Sequence, residues 1–460
     1  SVINMSEFKI LSNCCQPSYA VEEKRIMDLD LPIAIIGAGP VGLAAAAHLI
    51  QYKQKVIILE AGTEVGANIL TWKHIKLFSQ WKYNIDKAAS SLLEKYEWEK
   101  PNLEEIPTGK ELVDKYLIPL SKIPEIREVI ALNTKVISIG KKNTDKMKTA
   151  NRENVPFVIY TEQKGTIQAI EARAVIDATG TWGNPNPANS NGVWLKSEES
   201  LRGKVFYGLP DILGESINRY KNKKVAVVGS GHSAINALLE LEKLKEEHPE
   251  TEIIWIIRKE RVEDAYGGEE KDALEARGIL GSRIHEMVDK GTVKVHTSFR
   301  IEQLKENNNA TITVNGEANG VISEIESIDE VIVNTGNRPN YSFLNELRTK
   351  VDFATESVAA ISDLIDPNLH SCGTVRPHGE KELRQPEKNL YIVGSKSYGR
   401  APTFLMATGY EQVRSIAAYM AGDIEASEKV ELDLPETGVC SVNFVNAKSV
   451  NSCDTDTCCS

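Results

Sequence analysis

Residues 31–62 read LPIAIIGAGPVGLAAAAHLIQYKQKVIILEAG, and this stretch decides the fold. The apolar runs IAII and VIIL lie on either side of a glycine-rich turn and an alanine-rich segment. Short continuous apolar runs are typical of strands that are covered on both faces of a parallel sheet. The stretch therefore predicts a strand, a tight turn, a helix and a second parallel strand.

The turn carries Gly37, Gly39 and Gly42 in the spacing of a dinucleotide-binding fingerprint. Gly37 allows the tight turn, Gly39 lets the backbone approach a pyrophosphate, and Gly42 permits close packing of helix on strand. The helix N-terminus at Pro40 then faces the phosphates with its partial positive charge. Glu60, at the end of the second run, is placed to accept hydrogen bonds from an adenosine ribose.

The same unit recurs in residues 223–261, KKVAVVGSGHSAINALLELEKLKEEHPETEIIWIIRKER. Its turn has alanine in place of the third glycine, which the fingerprint tolerates. The predicted contacts to a second dinucleotide are Gly229, Ser230, Gly231, Ser233 and Ala234. His232, inside this turn, is expected to pack at the start of the helix.

The second unit ends in Arg258, Lys259 and Arg261 instead of an acid. A carboxylate at this position would repel a 2′-phosphate, whereas a guanidinium binds one through two hydrogen bonds. The pattern favours NADPH over NADH; the alternative is a solvated charge cluster.

Composition excludes several classes of function. With 460 residues the chain is long enough for two or three domains. A formal net charge of −11 disfavours nucleic acid or an anionic membrane as a partner. No apolar run approaches the roughly 18 residues of a membrane span. The N-terminal sequence has no signal pattern, and the 7 cysteines are an odd number, so we expect a cytoplasmic protein.

Two dinucleotide sites in one chain suit a bound flavin and a mobile hydride donor. Over residues 30–425 the chain resembles the two-dinucleotide-binding-domain flavoproteins, which include flavin-containing monooxygenases and pyridine nucleotide-disulfide reductases. Further marks are DATG at 177–180, NTGNRP at 334–339 and LYIVG ending at Gly394. The resemblance implies FAD contacts from Thr179, Gly180, Gly394 and Ser395 and an NADPH contact from Gly336. Ser395 stands where the family usually has an aspartate that holds the ribityl chain.

We therefore predict an α/β fold with two Rossmann-like dinucleotide-binding domains, for FAD and NADPH, the second inserted in the first, plus a β meander in residues 131–176. Residues 103–128 are predicted to be helical. The FAD domain is expected to comprise two segments, residues 31–200 and residues 335–425, with the NADPH domain (201–334) between them. An N-terminal extension (1–30) and a polar, cysteine-containing tail (426–460) complete the predicted divisions.

The positions of the cysteines bear on whether the chain resembles the disulfide reductases or the monooxygenases of this superfamily. Disulfide reductases need two cysteines close together beside the flavin, and the body of this chain has only Cys372. Residues 83–117 resemble the bacterial flavoprotein monooxygenase-like group (CzcO-like). That resemblance implies transfer of one oxygen atom from O₂, by way of an oxygenated flavin, to a small soft-nucleophile or carbonyl substrate. The monooxygenase pattern Phe-x-Gly-x-x-x-His begins at Phe206, but Ile212 replaces its histidine.

Candidate residues near the flavin lie in two stretches, ILTWKHIKLFSQW at 69–81 and SKSYGRAPTF at 395–404. Aromatic side chains of the first stretch either shield the flavin from water or pack in the core, and His74 is a possible proton donor. The aromatic candidates are Trp72, Phe78 and Trp81. The second stretch offers Tyr398, Arg400 and Thr403 as contacts to flavin or substrate.

The remaining cysteines lie near the two ends of the chain. Cys453, Cys458 and Cys459 are soft ligands that suit a thiophilic metal or metalloid, which would link the protein to metal resistance. Two other interpretations stay open: the tail thiols are incidental, or Cys14 and Cys15 form a redox disulfide with the C-terminal pair. Alternative functions are an NADPH-dependent thiol, disulfide or thiophilic-metal reductase and a low-turnover redox-sensing flavoprotein. The expected partners are a small-molecule substrate and O₂, without nucleic acid or membrane; a homodimer is plausible.

Overall fold

The computed structural model describes residues 27–272, 274–369 and 378–432. The strands of these ranges are β1 (Ile33–Ile36), β2 (Val56–Leu59), β3 (Ile130–Ala131), β4 (Lys135–Lys141), β5 (Phe157–Gln163), β6 (Thr166–Ala172), β7 (Ala174–Asp177), β8 (Val205–Tyr207), β9 (Lys224–Val228), β10 (Glu252–Ile256), β11 (Lys294–His296), β12 (Phe299–Glu306), β13 (Ile312–Ala318), β14 (Val321–Ile328), β15 (Glu330–Val333) and β16 (Leu390–Ile392).

The α-helices of the same ranges are α1 (Pro40–Gln51), α2 (Ala67–Leu70), α3 (Lys87–Glu94), α4 (Gly109–Leu112), α5 (Ile118–Lys122), α6 (Pro124–Arg127), α7 (Lys196–Glu199), α8 (Ile217–Tyr220), α9 (His232–Glu247), α10 (Glu275–Asp289), α11 (Ser362–Ile365), α12 (Glu380–Leu383), α13 (Met406–Met420) and α14 (Ile424–Glu428). Within the described ranges, no helix combines the length and the apolar character that a membrane crossing requires.

Two parallel sheets organise the molecule. The first has the strand order β16-β7-β1-β2-β3 and the second the order β11-β10-β9-β15-β8. The second sheet is built from strands that lie in the sequence between β7 and β16 of the first. This arrangement confirms the predicted α/β fold with one Rossmann-like unit inserted in the other.

The two units repeat the same plan, down to individual hydrogen bonds. In the first unit, the Gly37 N–H donates to the carbonyl of Leu59 (2.9 Å), the last residue of β2. In the second, the Gly229 N–H donates to the carbonyl of Ile256 (3.2 Å), the last residue of β10. The internal duplication inferred from the two glycine turns is therefore present in the backbone.

Each unit also carries a three-stranded antiparallel meander, β4-β5-β6 in the first and β12-β13-β14 in the second. The first lies within the predicted residues 131–176, but the end of that range, β7, belongs to the parallel sheet instead. We did not predict the second meander. The alternating apolar residues of FRIEQLKE and VISEIESI were the signal for it.

The helix predicted over residues 103–128 is broken and starts later. Thr108 caps α4 by accepting the Glu111 N–H (3.1 Å), and Glu111 reaches back to the Thr108 N–H (3.3 Å), which is a capping box. A π-helical turn follows at Val113–Leu117, and the chain turns again at Ile123, whose extended backbone precedes Pro124. Proline disfavours helical backbone in the residue before it, which accounts for the break at Ile123.

The first hydrophobic core lies between the first sheet and the helices that pack on it, chiefly α1 and α13. Residues 44–47 of α1 are alanines with 0% exposure, and α1 packs against α13. Small side chains let the two helices approach closely and hold the glycine turn at the N-terminus of α1 against the sheet. Packing therefore fixes the geometry of this turn.

Candidate nucleotide and flavin site

The first glycine turn lies at the carboxyl edge of the first sheet, where parallel α/β sheets bind their ligands. Gly37 has φ +99°, and a Cβ there would lie 2.7 Å from the Ala178 carbonyl oxygen. A Cβ on Gly42 would lie 2.0 Å from the Gly37 carbonyl oxygen. Neither position tolerates a side chain, whereas a Cβ on Gly39 would meet nothing within 4 Å. The turn is thus closed on the protein side and open at Gly39, next to Pro40 at the start of α1, as a pyrophosphate requires.

Glu60 is held in place by the same turn. One carboxylate oxygen accepts the Ala38 N–H (3.0 Å) and the other the Gly62 N–H (2.9 Å). Both bonds come from the backbone, so the carboxylate is fixed beside the open turn while its oxygens keep further lone pairs for hydroxyl donors. This geometry fits the predicted contact to a ribose.

The DATG motif and the turn after β16 that contains Gly394 and Ser395 (the late turn) meet at this edge. Asp177, the last residue of β7, pairs with Ile36 of β1 and Ile392 of β16. A Cβ on Gly180 would lie 3.3 Å from Ser395 Oγ, and one on Gly394 would lie 3.6 Å from the side chain of Val41. The structure therefore brings together the residues predicted to bind FAD.

Sequence reasoning missed Lys396, which is completely buried. Its Nζ lies 2.6 Å from Asp177 Oδ2 and donates to Thr179 Oγ1 (3.0 Å). Thr179 Oγ1 in turn donates to Asp177 Oδ1 (2.7 Å). A lysine in a polar loop is expected to be exposed, so nothing in the sequence pointed to this pair. The buried ion pair therefore joins Lys396 of the late turn to Asp177 of the DATG motif.

The second glycine turn repeats the first. Gly229 has φ +125°, and a Cβ there would lie 2.0 Å from the Asn334 carbonyl oxygen; a Cβ on Gly231 would meet nothing within 4 Å. Ala234 is fully buried in the place of the third glycine, and Trp255 Nε1–H donates to the Gly229 carbonyl (2.7 Å). Ser230 and Ser233 are half-buried beside the open turn. Gly336, at φ +87°, follows the neighbouring strand β15. The predicted NADPH contacts thus also share one edge, and they fit a second dinucleotide.

The basic residues after β10 have separate environments. Arg258 is exposed. Lys259 donates from Nζ to the Asp264 carbonyl (3.1 Å), and burial lowers its pKa. Arg261 lies 3.7 Å from a carboxylate oxygen of Glu263. Of the three side chains, Arg258 is the one without a hydrogen bond or ion pair to another described residue.

Segment 71–83 joins the two units. The ring of Phe78 meets that of His232, the first residue of α9, edge to face at 5.0 Å between centroids. His74 Nε2 lies 3.7 Å from Glu240 Oε2 of the same helix. Burial lowers the pKa of His74 and of His232, the latter to about 4, and raises that of Glu240 to about 8. At neutral pH the contact therefore joins uncharged groups.

The other catalytic candidates are buried or in contact with aromatic rings. Trp81 (1% exposed) is part of the first core, which favours packing over a role at the flavin. Tyr398 is equally buried, and this burial raises its pKa. Trp72 meets Trp182 at 6.5 Å, and Trp182 Nε1–H donates to Thr71 Oγ1 (2.7 Å). Trp182 follows Gly180 by two residues, so this aromatic pair stands next to the DATG motif.

Three further candidates complete the predicted set. Ile212, in the place of the family's histidine, is fully buried in the second core and supplies no titratable group. Thr403 Oγ1 is buried without a hydrogen-bond partner among the described residues. Arg400 is exposed and lies beside Glu356.

The proposed metal ligands Cys453, Cys458 and Cys459 lie outside the described residues. So do the remaining cysteines, Cys14, Cys15, Cys372 and Cys440. In the ranges that the structure covers, no group of three or more His, Cys, Asp or Glu side chains is arranged to hold a metal ion.

Comparisons with known proteins give relatives of more than one activity. Ferredoxin–NADP reductase of Lactococcus lactis is 24% identical over 412 residues, covering 89% of this chain and 97% of the relative. Bacillithiol disulfide reductase Bdr (YpdA) of Bacillus cereus superposes with a TM-score of 0.62 at 19% identity, covering 85% of this chain and 99% of that one. DfoA of Erwinia amylovora, a cadaverine monooxygenase with bound FAD, has a TM-score of 0.60 at 11% identity, covering 90% of this chain and 99% of the other.

The structural relatives thus include both reductases and a monooxygenase, and at these identities they establish a shared fold. The family model described as pyridine nucleotide-disulphide oxidoreductase matches residues 34–363, which contain both glycine turns and both meanders. The chain therefore belongs to the pyridine nucleotide-disulphide oxidoreductase family of FAD- and NADP-dependent oxidoreductases.

Proposed function

We propose that this protein oxidises NADPH through FAD and passes the electrons directly from the flavin to its acceptor, without a protein dithiol. The observation that carries the proposal is the absence of cysteine from residues 27–369 and 378–432, which contain both glycine turns and the described residues that pack on them. A thiol relay would need two cysteines close together at the flavin.

The preferred reaction is monooxygenation of a small soft nucleophile or carbonyl compound. When bound, FAD supplies the redox chemistry by accepting a hydride from NADPH. The protein holds the two nucleotides at the two turns, through Glu60 and the open faces of Gly39 and Gly231. The Trp72–Trp182 pair beside the DATG motif serves to exclude water, a need that oxygen transfer has and simple electron transfer lacks.

A second candidate is an NADPH-dependent reductase of an external acceptor. The alignment with ferredoxin–NADP reductase over 97% of that relative favours it, because it spans both nucleotide units. This reaction also needs no protein thiol. The two candidates differ in whether an atom of O₂ enters a product.

The test is a comparison of NADPH oxidation under air and under nitrogen, with purified protein saturated with FAD. A panel of thioethers, amines and ketones is then added under ¹⁸O₂, and the products are analysed by mass spectrometry. Monooxygenation predicts NADPH oxidation that depends on O₂ and one ¹⁸O atom in a product. Oxidation that proceeds under nitrogen with a protein or dye acceptor, and never labels a product, would establish the reductase instead.

A second arm examines the thiols. A variant with all seven cysteines replaced by serine is expected to oxidise NADPH at the wild-type rate. Loss of this activity, with FAD still bound, would overturn the proposal and return the tail cysteines to the reaction.

A further inference from the structure

One side chain of α13, that of Gln412, holds the late turn from the protein side, and it is completely buried. Gln412 Oε1 accepts the Gly394 N–H (2.8 Å). Gln412 Nε2 donates to Ser397 Oγ (2.9 Å) and lies 2.9 Å from His378 Nε2. Ser397 Oγ in turn donates to the Gly394 carbonyl (2.7 Å). Both backbone polar groups of Gly394 are therefore bonded within the protein, one to Gln412 directly and one through Ser397.

The chemistry of these partners fixes the orientation of the Gln412 amide. A backbone N–H can only donate, so the amide oxygen faces Gly394. The amide nitrogen then faces Ser397 and His378, and His378 Nε2 is an acceptor. Ser397 Oγ donates its only hydrogen to Gly394, so it accepts from Gln412. Each group has one role, and turning the amide over would break all of these bonds.

The late turn lies beside the first glycine turn. A Cβ on Gly394 would lie 3.6 Å from the side chain of Val41, the second residue of α1. A Cβ on Gly409, which precedes Gln412 by three residues in α13, would lie 2.6 Å from the same side chain. The helix that holds the late turn is therefore packed directly on the N-terminus of α1, where the first turn is open at Gly39.

Ser395 is the residue of the late turn that a ligand can reach. Within residues 391–399, all of which the structure describes, it is the one residue that is not buried. It stands in the place of the family's aspartate, and a hydroxyl forms neutral hydrogen bonds where a carboxylate forms charge-assisted ones, which are stronger. The serine side chain is also short, so its predicted contact to FAD depends on where the backbone next to Gly394 places it.

We propose that Gln412 is a positioning residue for FAD: it fixes the conformation of the late turn and thereby keeps Ser395 exposed at the FAD site. Gly394 has φ +72°, and the bonds from Gln412 and Ser397 hold this conformation before the cofactor binds. A turn that is already ordered lowers the entropic cost of binding. The role is the same for monooxygenation and for reduction of an external acceptor, because both reactions use FAD.

The experiment measures how fast FAD leaves the holoprotein after dilution, from the rise of flavin fluorescence, together with the unfolding temperature from circular dichroism. The variants are Gln412→Leu, which removes both polar groups of the amide, and Gln412→Glu, which keeps an oxygen for the Gly394 N–H. The matched control is Ser415→Ala. Ser415 is also buried on α13, and it bonds the Glu380 N–H (2.9 Å) and the Ser427 carbonyl (2.7 Å), neither of which belongs to the late turn.

We expect Gln412→Leu to release FAD about tenfold faster than wild type, as for the loss of a buried hydrogen bond that leaves its partner unsatisfied. Gln412→Glu should release FAD more slowly than Gln412→Leu, because the acceptor of the Gly394 N–H is retained. Ser415→Ala should lower the unfolding temperature and still release FAD at the wild-type rate.

Release from Gln412→Leu at the wild-type rate would overturn the proposal. Release from Ser415→Ala as fast as from Gln412→Leu would also overturn it, because loss of FAD would then follow from general destabilisation. So would equal rates for Gln412→Glu and Gln412→Leu, since the acceptor of the Gly394 N–H would then have no effect. If Gln412→Leu does not fold, Ser397→Ala replaces it: this variant removes the donor to the Gly394 carbonyl and should also release FAD faster, and the wild-type rate would contradict the proposal.

Discussion

Single side chains decide how the first site is held together, and the Asp177–Lys396 pair is the clearest case. Both residues have 0% exposure and lie 2.6 Å apart, so neither charge is solvated by water. Removing one partner of a buried pair leaves the other charge uncompensated, which costs much more than the pair itself contributes. The pair therefore makes the late turn and the DATG motif depend on each other.

Replacing Lys396 by methionine should lower the free energy of unfolding by about 3–5 kcal/mol and release FAD, because Asp177 is left buried and unpaired. Chemical denaturation and flavin absorbance measure the two effects. The control is Lys381→Met, which breaks the Lys381–Glu428 pair at 2.7 Å with 61% and 48% exposed side chains. That change should cost under about 1 kcal/mol. A Lys396→Met protein as stable as the control would show that the buried pair has no structural role.

Two glycines of one turn should respond differently to the same substitution. Gly42→Ala puts a Cβ 2.0 Å from the Gly37 carbonyl oxygen and should prevent the turn from forming, with loss of soluble protein. Gly39→Ala puts a Cβ where nothing lies within 4 Å, so the protein should fold with an unchanged melting temperature in its flavin-free form. Its FAD affinity should fall at least about tenfold, because the Cβ fills the space of the pyrophosphate. Unimpaired FAD binding by Gly39→Ala would place the flavin elsewhere.

At the scale of elements, the contact between segment 71–83 and α9 couples the flavin side to the nucleotide turn. Sequence reasoning found Phe78, His74 and His232 separately, as candidates for shielding, proton transfer and packing. It could not pair them, because the contacts are between residues far apart in the chain. Glu240 carried no signal at all: a glutamate on a charged helix is expected to face water, and only the packing of the two units buries it.

Glu240 should make the stability of this contact depend on pH. The pKa of Glu240 in the folded state is about 8, above the usual 4.5. The folded state is therefore most stable below pH 4.5, where Glu240 is protonated whether the chain is folded or unfolded, and it loses stability as the pH rises toward 8. Burial is the main cause of this shift; the charge of Asp211 raises the pKa of Glu240 further, and the charge of Lys243 lowers it. Glu240→Gln should remove the dependence and be more stable than wild type at pH 8.5, by up to about 4–5 kcal/mol because each pKa unit corresponds to about 1.4 kcal/mol, with no difference at pH 4.5.

Thermal unfolding from pH 4.5 to 9 checks this expectation, with Glu246→Gln, an exposed site on the same helix, as the control. A stability gain of Glu240→Gln that is the same at every pH would contradict the assignment, since a change in packing alone does not titrate.

At the scale of the whole molecule, the duplicated fold was predictable, whereas the contacts between segments far apart in the chain were not. Two glycine turns with flanking apolar runs are local patterns, so the strands, the helices and the inserted unit followed from them. The replacement of the family's aspartate by Ser395 was also visible. The burial of Lys396 was not visible, because it depends on β7, on β16 and on the rings of Tyr341 and Phe343, whose centroids lie 5.2 and 4.4 Å from Lys396 Nζ.

The most direct test of direct electron transfer through the flavin is anaerobic stopped-flow reduction by NADPH. It compares wild type with the variant in which all seven cysteines are serine, and follows flavin absorbance until reduction is complete. We predict complete two-electron reduction of FAD in both proteins, at the same rate and with one NADPH consumed per flavin. Uptake of a second NADPH by wild type only, or a long-wavelength thiolate–flavin band that the serine variant lacks, would show that the cysteines carry electrons and would contradict the account.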